Sequence, residues 1–466
     1  MKIDNLWLKY TEEDVTKVQE VCDRYKQCLD NGKTERECVA QVIEMAQQKG
    51  YRELHSVIKE GGTPKAGDKL YAVQMDKSIV LFQMGKKPVS EGMNILGAHI
   101  DSPRIDIKQK PLYEAEGFAY LDTHYYGGIK KYQWTTIPLA LHGVVAKKDG
   151  TVVKISIGEK DDEPVFVITD LLIHLAGEQM AKKADAVIAG EKLDLLIGNR
   201  PLQQSEELDK EEKEAVRANI LRLLSETYGI EEEDFLSADL EIVPAGSARD
   251  LGVDRSMILA YGHDDRVCAF TSVFAMLDLA DEITEHTLCC LLVDKEEIGN
   301  VGATGMASQF FENTIAELVA ATERDSQLLV RRALASSKML SSDVSAGFDP
   351  LYADVYEKKN SAFLAKGLAF NKYTGSRGKR GSSEATAEFV AQIRRIMEDA
   401  DVMYQFSELG KVDAGGGGTI AHLMAEYGMN VIDSGVSVLN MHAPYEVVSK
   451  ADVYEAVRGY RAFLRA

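Results

Sequence analysis

Two adjacent glutamates, Glu296 and Glu297, stand at the end of an apolar run in segment 291–299, LLVDKEEIG. Such a run is typical of a strand that is buried on both faces, as in the interior of a parallel sheet. Ligands of open α/β sheets bind outside the carboxyl ends of the strands, so both carboxylates are expected at a ligand site. Neighbouring acids repel unless a cation, a shared proton or different directions separate them. A metal ion on one glutamate and proton transfer by the other would account for the pair.

Other acids and histidines also stand where apolar runs end: His99 and Asp101, Asp264, Asp343 and His442. Strand ends of a parallel sheet share one edge, so these side chains could converge. Histidine nitrogen and carboxylate oxygen suit Zn²⁺, Mn²⁺ or Co²⁺, and two ions about 3.5–4 Å apart can clamp a water and a carbonyl oxygen. The set supplies one bridging carboxylate and, for each ion, one histidine and one further carboxylate.

Each of these residues has a simpler explanation when it is taken alone. His442 could be a loop residue, Asp264 could cap the following helix, and the glutamate pair could be one solvent-facing and one salt-bridged acid. Asp101, two residues after His99, could orient the imidazole. Only the occurrence of all these residues together therefore indicates a metal site.

Alternating helical and strand patterns surround these positions. Apolar residues at three- and four-residue spacing predict two helices within 12–49, divided at Asn31-Gly32, and a last helix that starts near Ser449. Further helices are predicted at 268–283, 383–399 and 419–428. Strands are predicted at 69–75, 78–84, 93–100, 256–262, 287–294, 317–322, 338–343 and 429–435.

Region 105–244 differs from the rest in its short β-like runs, glycine turns and acidic segments 204–217 and 231–239. It is predicted to be a separate, inserted domain, and residues 1–104 and 245–466 are predicted to form one α/β domain. With 466 residues the chain is too long to fold around one ordinary hydrophobic core, so two domains are expected.

The charge balance of 54 basic and 74 acidic residues, net −20, would repel nucleic acid and anionic membranes. No run of about 18 apolar residues and no signal-peptide core is present, so a cytoplasmic protein is expected. The six cysteines lack CxxC spacing and are interpreted as reduced thiols rather than disulfides or zinc ligands.

Five motifs together resemble one enzyme family: GAHIDSPR (97–104), GHDDRVCAF (262–270), DKEEIG (294–299), SSDV (341–344) and MHAPYEVVS (441–449). Over nearly the whole chain they resemble the aspartyl aminopeptidase and vacuolar aminopeptidase family of dinuclear zinc metallopeptidases. The resemblance implies a three-layer α/β metallopeptidase domain with a mixed, mostly parallel central sheet, interrupted by a β-rich dimerisation domain. It also implies a homo-oligomer in which dimers build a tetrahedral dodecamer.

The resemblance implies removal of the N-terminal residue from peptides with a free N-terminus. The cofactor would be two divalent ions per subunit, zinc first, with cobalt or manganese as alternatives. The roles carried over are His99 and Asp343 on one metal, Asp264 bridging, Glu297 and His442 on the other, Asp101 orienting His99, and Glu296 as general base.

Two further residues are implied as substrate contacts. His174, in DLLIHLAGEQ, matches a family histidine that reaches a neighbouring subunit's active site, whereas the residues alone would favour a histidine inside an apolar core helix. Lys372 matches a lysine of acid-selective members, although Asn371 or Phe370 could align there instead. In the inserted domain, a family pattern that often resembles WFDRxL is replaced here by QWTTIPL at 133–139. The preference for an acidic N-terminal residue therefore stays open.

Two loops and two rival functions complete the expectations. The basic loop 375–381, with Arg377, Lys379 and Arg380, is either a solvated turn or a phosphate site. The glycine run 415–418 is either a flexible turn or a source of backbone N–H groups for the substrate. The rival functions are a dinuclear deacylase or carboxypeptidase-like hydrolase, and a non-catalytic assembly protein that keeps the fold.

Overall fold

The computed structural model describes residues 5–202 and 214–466. The chain divides into two compact units. The first contains Met1–Ser102, Ala248–Met441 and Glu446–Ala466, and the second contains Pro103–Ser247 and His442–Tyr445. The short segment His442–Tyr445 was expected in the α/β domain, but the structure assigns it to the second unit.

The helices, in chain order, are α1 (Glu12–Asn31), α2 (Glu35–Gln48), α3 (Leu54–Lys59), α4 (Gly177–Met180), α5 (Ala215–Tyr228), α6 (His263–Asp278), α7 (Phe310–Thr322), α8 (Gln327–Ser336), α9 (Ala387–Asp399), α10 (Ala421–Ala425) and α11 (Lys450–Arg465). The strands are β1 (Arg52–Glu53), β2 (Lys69–Gln74), β3 (Ser78–Gln83), β4 (Met93–His99), β5 (Arg104–Ala115), β6 (Phe118–Tyr126), β7 (Leu139–Ala146), β8 (Val152–Ile157), β9 (Leu195–Gly198), β10 (Ala238–Pro244), β11 (Arg249–Leu251), β12 (Met257–Ala260), β13 (Thr287–Val293), β14 (Lys338–Ser342), β15 (Ser345–Ala346), β16 (Leu368–Asn371), β17 (Tyr404–Phe406), β18 (Asn430–Gly435), β19 (Ser437–Leu439) and β20 (Glu446–Ser449).

The first unit is built on a nine-stranded mixed sheet of order β1-β2-β3-β13-β4-β14-β18-β16-β17. Its centre is parallel, since β13, β14 and β18 run in the same direction as β4. Every residue of β13 and β4 is buried, as expected for strands covered on both faces. This parallel centre brings the carboxyl ends of β4, β13 and β14 to one edge.

Helices cover both faces of this sheet. Successive side chains of a strand point to opposite faces, and in β4 Ile95 packs with α7, α8 and α10 whereas Leu96 packs with α1, α6 and α11. The result is a three-layer α/β unit with one apolar core on each side of the sheet.

One predicted strand, 317–322, is wrong, because these residues form the end of helix α7. The buried side chains of α7 are Phe311, Thr314, Ile315, Leu318 and Val319. This spacing is the signature of an amphipathic helix, which a six-residue apolar window cannot reveal.

A second, five-stranded sheet in the first unit has the order β11-β12-β20-β19-β15. Strand β12, which precedes Asp264, pairs antiparallel with β11 and β20. The expectation that every site residue follows a strand of one parallel sheet is therefore wrong for Asp264, which arrives from this smaller sheet.

The second unit contains a six-stranded sheet of order β8-β7-β10-β5-β6-β9, whose paired strands are all antiparallel. Helix α5 belongs to this unit, and the predicted acidic segment 204–217 lies mostly outside the described residues. Among the helices in the described ranges, none combines the length and apolarity needed to span a membrane.

Candidate metal centre

Five of the predicted site residues form two overlapping groups in the first unit. His99, Asp264 and Glu297 form one group, and His99, Glu296 and Asp343 form the other. Within each group, one potential ligand atom per residue lies within 4.8 Å of the others. The groups share His99, so the strand ends of β4, β13 and β14 and the start of α6 meet at one cluster.

His99 is fixed at both ring nitrogens. Its Nδ1 lies 3.0 Å from the backbone oxygen of Asp101 and 3.2 Å from the carboxylate of Asp101. Its Nε2 lies 3.3 Å from Asp264 and 4.0 Å from Asp343. When Nδ1–H donates to Asp101, a neutral imidazole carries its lone pair on Nε2, which is the tautomer a metal ligand needs.

Asp101 also holds the glutamate pair. Its two carboxylate oxygens accept the backbone N–H groups of Glu296 and Glu297, each at 3.1 Å. These residues form a short 3₁₀ turn, Glu296–Ile298, entered through Lys295 in the left-handed conformation with φ 69°. One fully buried carboxylate therefore fixes the histidine and the turn that carries both acids.

Asp264 is anchored by backbone contacts from two directions. Its N–H donates to Glu446 on β20 at 2.9 Å, and its carbonyl accepts from the Ser102 hydroxyl at 2.6 Å. These bonds leave the carboxylate turned toward His99 at 3.3 Å. Glu446 is a positioning residue that the sequence analysis did not identify.

The cluster carries more negative charge than its own residues can balance. Burial, together with the charges of Asp265, Asp264 and Glu296, raises the pKa of Asp343 well above its ordinary value. Burial opposes protonation of His99, but hydrogen bonds to Asp101 and Asp264 outweigh it and raise the pKa of the imidazole. A buried group of acids with this imbalance is stabilised by a bound cation.

The donor chemistry fits zinc. Zinc sites use imidazole nitrogen and carboxylate oxygen, and a ligating histidine donates its other N–H to a carboxylate or carbonyl, as His99 does here. The shared histidine and four acids offer enough donors for one ion and part of a second.

His442 lies in the second unit, where it is half-buried and has a left-handed φ of 65°. Its Nδ1 lies 2.9 Å from the carbonyl oxygen of Gly128, so Nδ1–H donates, and the neutral form of the ring then carries its lone pair on Nε2. The hydrogen bonding of His442 thus resembles that of His99.

His174 is exposed, which contradicts the alternative of a histidine in a core helix. It lies in a short 3₁₀ turn, Ile173–Leu175, in which Ile173 is 64% and Leu175 is 71% exposed. The apolar pattern that suggested a core helix is instead an exposed apolar segment.

Lys372 follows β16 and is not in the cluster of five. Its Nζ lies 3.3 Å from Glu384, which also binds Lys379 of the basic loop at 2.9 Å. Lys379 additionally lies 3.9 Å from the ring centre of Tyr373. Two of the cations around the loop are thus balanced by one carboxylate of the same chain.

The glycine run 415–418 packs closely against the basic loop. A Cβ atom on Gly416 would lie 1.9 Å from the carbonyl oxygen of Gly375, so only glycine fits there. Directly after the run, the Thr419 hydroxyl donates to Asp433 on β18 at 2.5 Å.

Asp433 is a buried acid that the sequence analysis did not identify. Burial and the charge of Glu296 raise its pKa to about 7, although the bond from Thr419 lowers it. The effect of Glu296 places Asp433 in the electrostatic environment of the cluster. Its sequence context, MNVIDSG, reads as a strand interior and offers no chemical signal.

The sequence and the fold are similar to those of known proteins. The model of the family described as aminopeptidase I zinc metalloprotease (M18) matches residues 28–464. A probable M18 family aminopeptidase 1 of Clostridium acetobutylicum is 55% identical over 99% of this chain and 97% of its own length.

Solved structures are similar over the full chain. The crystal structure of an M18 family aminopeptidase from Thermotoga maritima is 41% identical, covers 100% of this chain and 99% of its own, and has a TM-score of 0.93. The S. cerevisiae mApe1 dodecamer covers 95% of each chain with a TM-score of 0.75, but at 20% identity it supports the fold alone.

Proposed function

The chain belongs to the aminopeptidase I family of zinc metalloproteases, M18, and from this membership we propose a dinuclear aminopeptidase in which Glu296 is the general base. The observation that carries the proposal is the pair of ligand groups that share His99. The hydrolase class follows from the family, whereas the number of ions and the role of each residue are proposals.

We assign His99 and Asp343 to one ion, Asp264 to both ions, and Glu297 with His442 to the other. Zinc bound by these residues would polarise the scissile carbonyl and lower the pKa of water to about 7. The contacts of Asp101 with His99 and with the two glutamate N–H groups support its role in positioning.

The two glutamates need different environments because one stays ionised and the other titrates. Glu296 takes a proton from the attacking water on its carboxylate and delivers it to the nitrogen of the leaving amine. Because Glu296 also falls within ligand distance of His99 and Asp343, its role must be separated from metal binding by experiment.

Substitution of Glu296→Gln tests the division of roles. The variant is expected to retain two metal ions per chain and to lose about 10²–10⁴-fold in turnover, since proton transfer contributes that much. Metal content by mass spectrometry and turnover of aminoacyl p-nitroanilides are the two measurements. The matched variant Glu297→Gln is expected to lose metal. Unchanged turnover in Glu296→Gln would show that the base is another residue.

Substrate class is tested by comparing peptides with free and acetylated N-termini. An aminopeptidase rejects the acetylated peptide, whereas a deacylase or carboxypeptidase-like enzyme does not. We further propose that Lys372 contacts the side chain of the substrate's N-terminal residue. Its pairing with Glu384 balances its charge in the absence of substrate, so glutamyl and leucyl substrates should be compared directly.

Self-association belongs to the same proposal. We propose that the chain forms dimers that assemble into a tetrahedral dodecamer, and that His174 reaches the site of a neighbouring copy. The exposure of His174 and of the apolar residues around it supports this role.

A further inference from the structure

A cavity of about 450 Å³ lies at the edge of the nine-stranded sheet, and none of the proposed metal ligands lines it. Ligand pockets have volumes of roughly 300–1,000 Å³, so it is large enough to bind part of a molecule. Its lining includes three cations, Lys359, Lys366 and Arg394, together with three aromatic rings and the amide of Gln405.

The charge of this cavity is opposite to that of the chain. The net charge is −20, whereas the cavity carries three cationic side chains. Arg394 lies 3.8 Å from Glu398, which balances part of its charge. Among residues 5–202 and 214–466, no carboxylate forms an ion pair with Lys359. Cations that line a concave surface attract anions more strongly than the same cations on a flat one.

The walls of the cavity are held by buried polar contacts. The Gln405 amide accepts from the N–H of Phe363 at 2.9 Å and donates to the carbonyl oxygens of Phe363 and Gly367 at 2.9 and 3.2 Å. The backbone on either side of Lys366 is fixed because Ala365 and Gly367 each donate an N–H to the buried Asp452 at 2.7 Å. A prearranged wall lowers the entropic cost of binding.

Strand β17 presents one unpaired edge to this region. It pairs in parallel with β16, and Met403 and Ser407 on either side of it bond to β16 through Leu368 and Phe370. Alternate residues of a strand direct their backbone groups to opposite sides. The backbone groups of Tyr404 and Phe406 therefore face away from β16, and no described strand pairs with β17 on that side.

We propose that this cavity binds an extended acidic segment of a polypeptide. The backbone of the segment adds to β17 as a further strand, and its carboxylates lie against Lys359, Lys366 and Arg394. Strand addition at an open edge is a common mode of peptide recognition, in which main-chain bonds give affinity and side-chain pockets give specificity. The site binds and does not cleave, so it is separate from the proposed activity.

The test uses the full-length, metal-loaded enzyme and a defined probe. The probe is a fluorescein-labelled peptide Thr-Glu-Val-Asp-Val-Glu, blocked at both ends so that an aminopeptidase does not consume it. Fluorescence anisotropy at several salt concentrations gives its Kd. A second peptide carries the matching amides in place of the acids, and a third carries N-methyl groups on alternate residues to remove the strand-type hydrogen bonds.

The acidic peptide is expected to bind at least tenfold more tightly than the amide and N-methyl peptides, with an affinity that falls as salt rises. The double variant Lys359→Gln/Lys366→Gln is expected to weaken binding at least tenfold and to leave turnover of small aminoacyl substrates unchanged. The control Lys49→Gln/Lys59→Gln has the same change in net charge at exposed positions and should bind normally.

Two results would overturn the proposal. One is equal affinity for the acidic and amide peptides, or equal binding by the double variant and its control. The other is full competition by inorganic phosphate together with no effect of N-methylation, which would show an anion site without strand addition.

Discussion

At the scale of single residues, Asp101 connects the histidine and both glutamates of the candidate metal centre. Its side chain faces Nδ1 of His99 and accepts one N–H from each glutamate. An amide at this position has a single acceptor oxygen and directs an NH₂ group toward a backbone donor. Asp101 therefore positions His99 and Glu297, which are proposed metal ligands, and Glu296, which is the proposed general base.

We expect Asp101→Asn to weaken metal binding about 10–100-fold, the usual effect of removing a partner that orients a ligating histidine. Competition with a chromogenic chelator measures the change. Asp122→Asn, at a half-exposed aspartate paired with Lys108, is the control for loss of a carboxylate. Equal metal affinity in the two variants would rule out this role for Asp101.

The site residues that could be predicted from the sequence are those that have another candidate residue next to them in the chain. Asp101 follows His99 by two positions, and the two glutamates are adjacent, so each could be identified from its neighbours. Glu446 contacts the backbone of Asp264 across 182 positions and lies within an apolar strand. Its position depends on the pairing of β12 with β20, which the sequence does not reveal.

At the scale of elements, an ion pair network joins α1, β11 and α11. Lys450, at the start of α11, is 2% exposed and lies 2.9 Å from Asp250 on β11. Lys26 on α1 lies 2.8 Å from the same carboxylate. Burial opposes ionisation of Asp250, but the bonds from these lysines and from Arg255 lower its pKa well below the ordinary range.

We expect Asp250→Asn to destabilise the protein by about 3 kcal/mol at pH 7, because it leaves a buried lysine without its carboxylate partner. A depressed pKa contributes stability above the unfolded value near 4, and this contribution is lost as the pH falls through the lower folded value. The difference between variant and wild type should therefore shrink below pH 4. Denaturant unfolding at a series of pH values measures it.

The control is Asp76→Asn, at an exposed aspartate 3.6 Å from Arg36, where a change of less than about 1 kcal/mol is expected. A deficit in Asp250→Asn that stayed constant down to pH 3 would mean that lost packing, and not charge, causes it.

Element prediction succeeded where one periodicity dominated a long window, as in α1 and α11. The prediction failed for α7, because its five buried positions are spread over nine residues. The last six residues of this helix, taken alone, resemble a short apolar strand. The fully buried strands β4 and β13 were identified because they are bounded by turn and charge signals.

At the scale of the whole molecule, the described residues include an exposed apolar segment, Leu171–Leu175. An apolar patch of this kind marks an interaction site. If it mediates the proposed self-association, Ile173→Asp should lower the mass measured by light scattering and reduce turnover together. Val253→Asp, at a fully exposed valine of the first unit, should change neither. A wild-type mass near 51.4 kDa would contradict the oligomer.

The second unit is discontinuous, since Pro103–Ser247 is joined much later in the chain by His442–Tyr445. A ribosome adds roughly 5–20 residues per second, so the last piece emerges about 10–40 s after the first. During that interval His442, a proposed zinc ligand, does not yet exist, and strand β20 and helix α11 of the first unit are also still missing. The order of synthesis would therefore keep the proposed metal centre incomplete until almost the entire chain has been made.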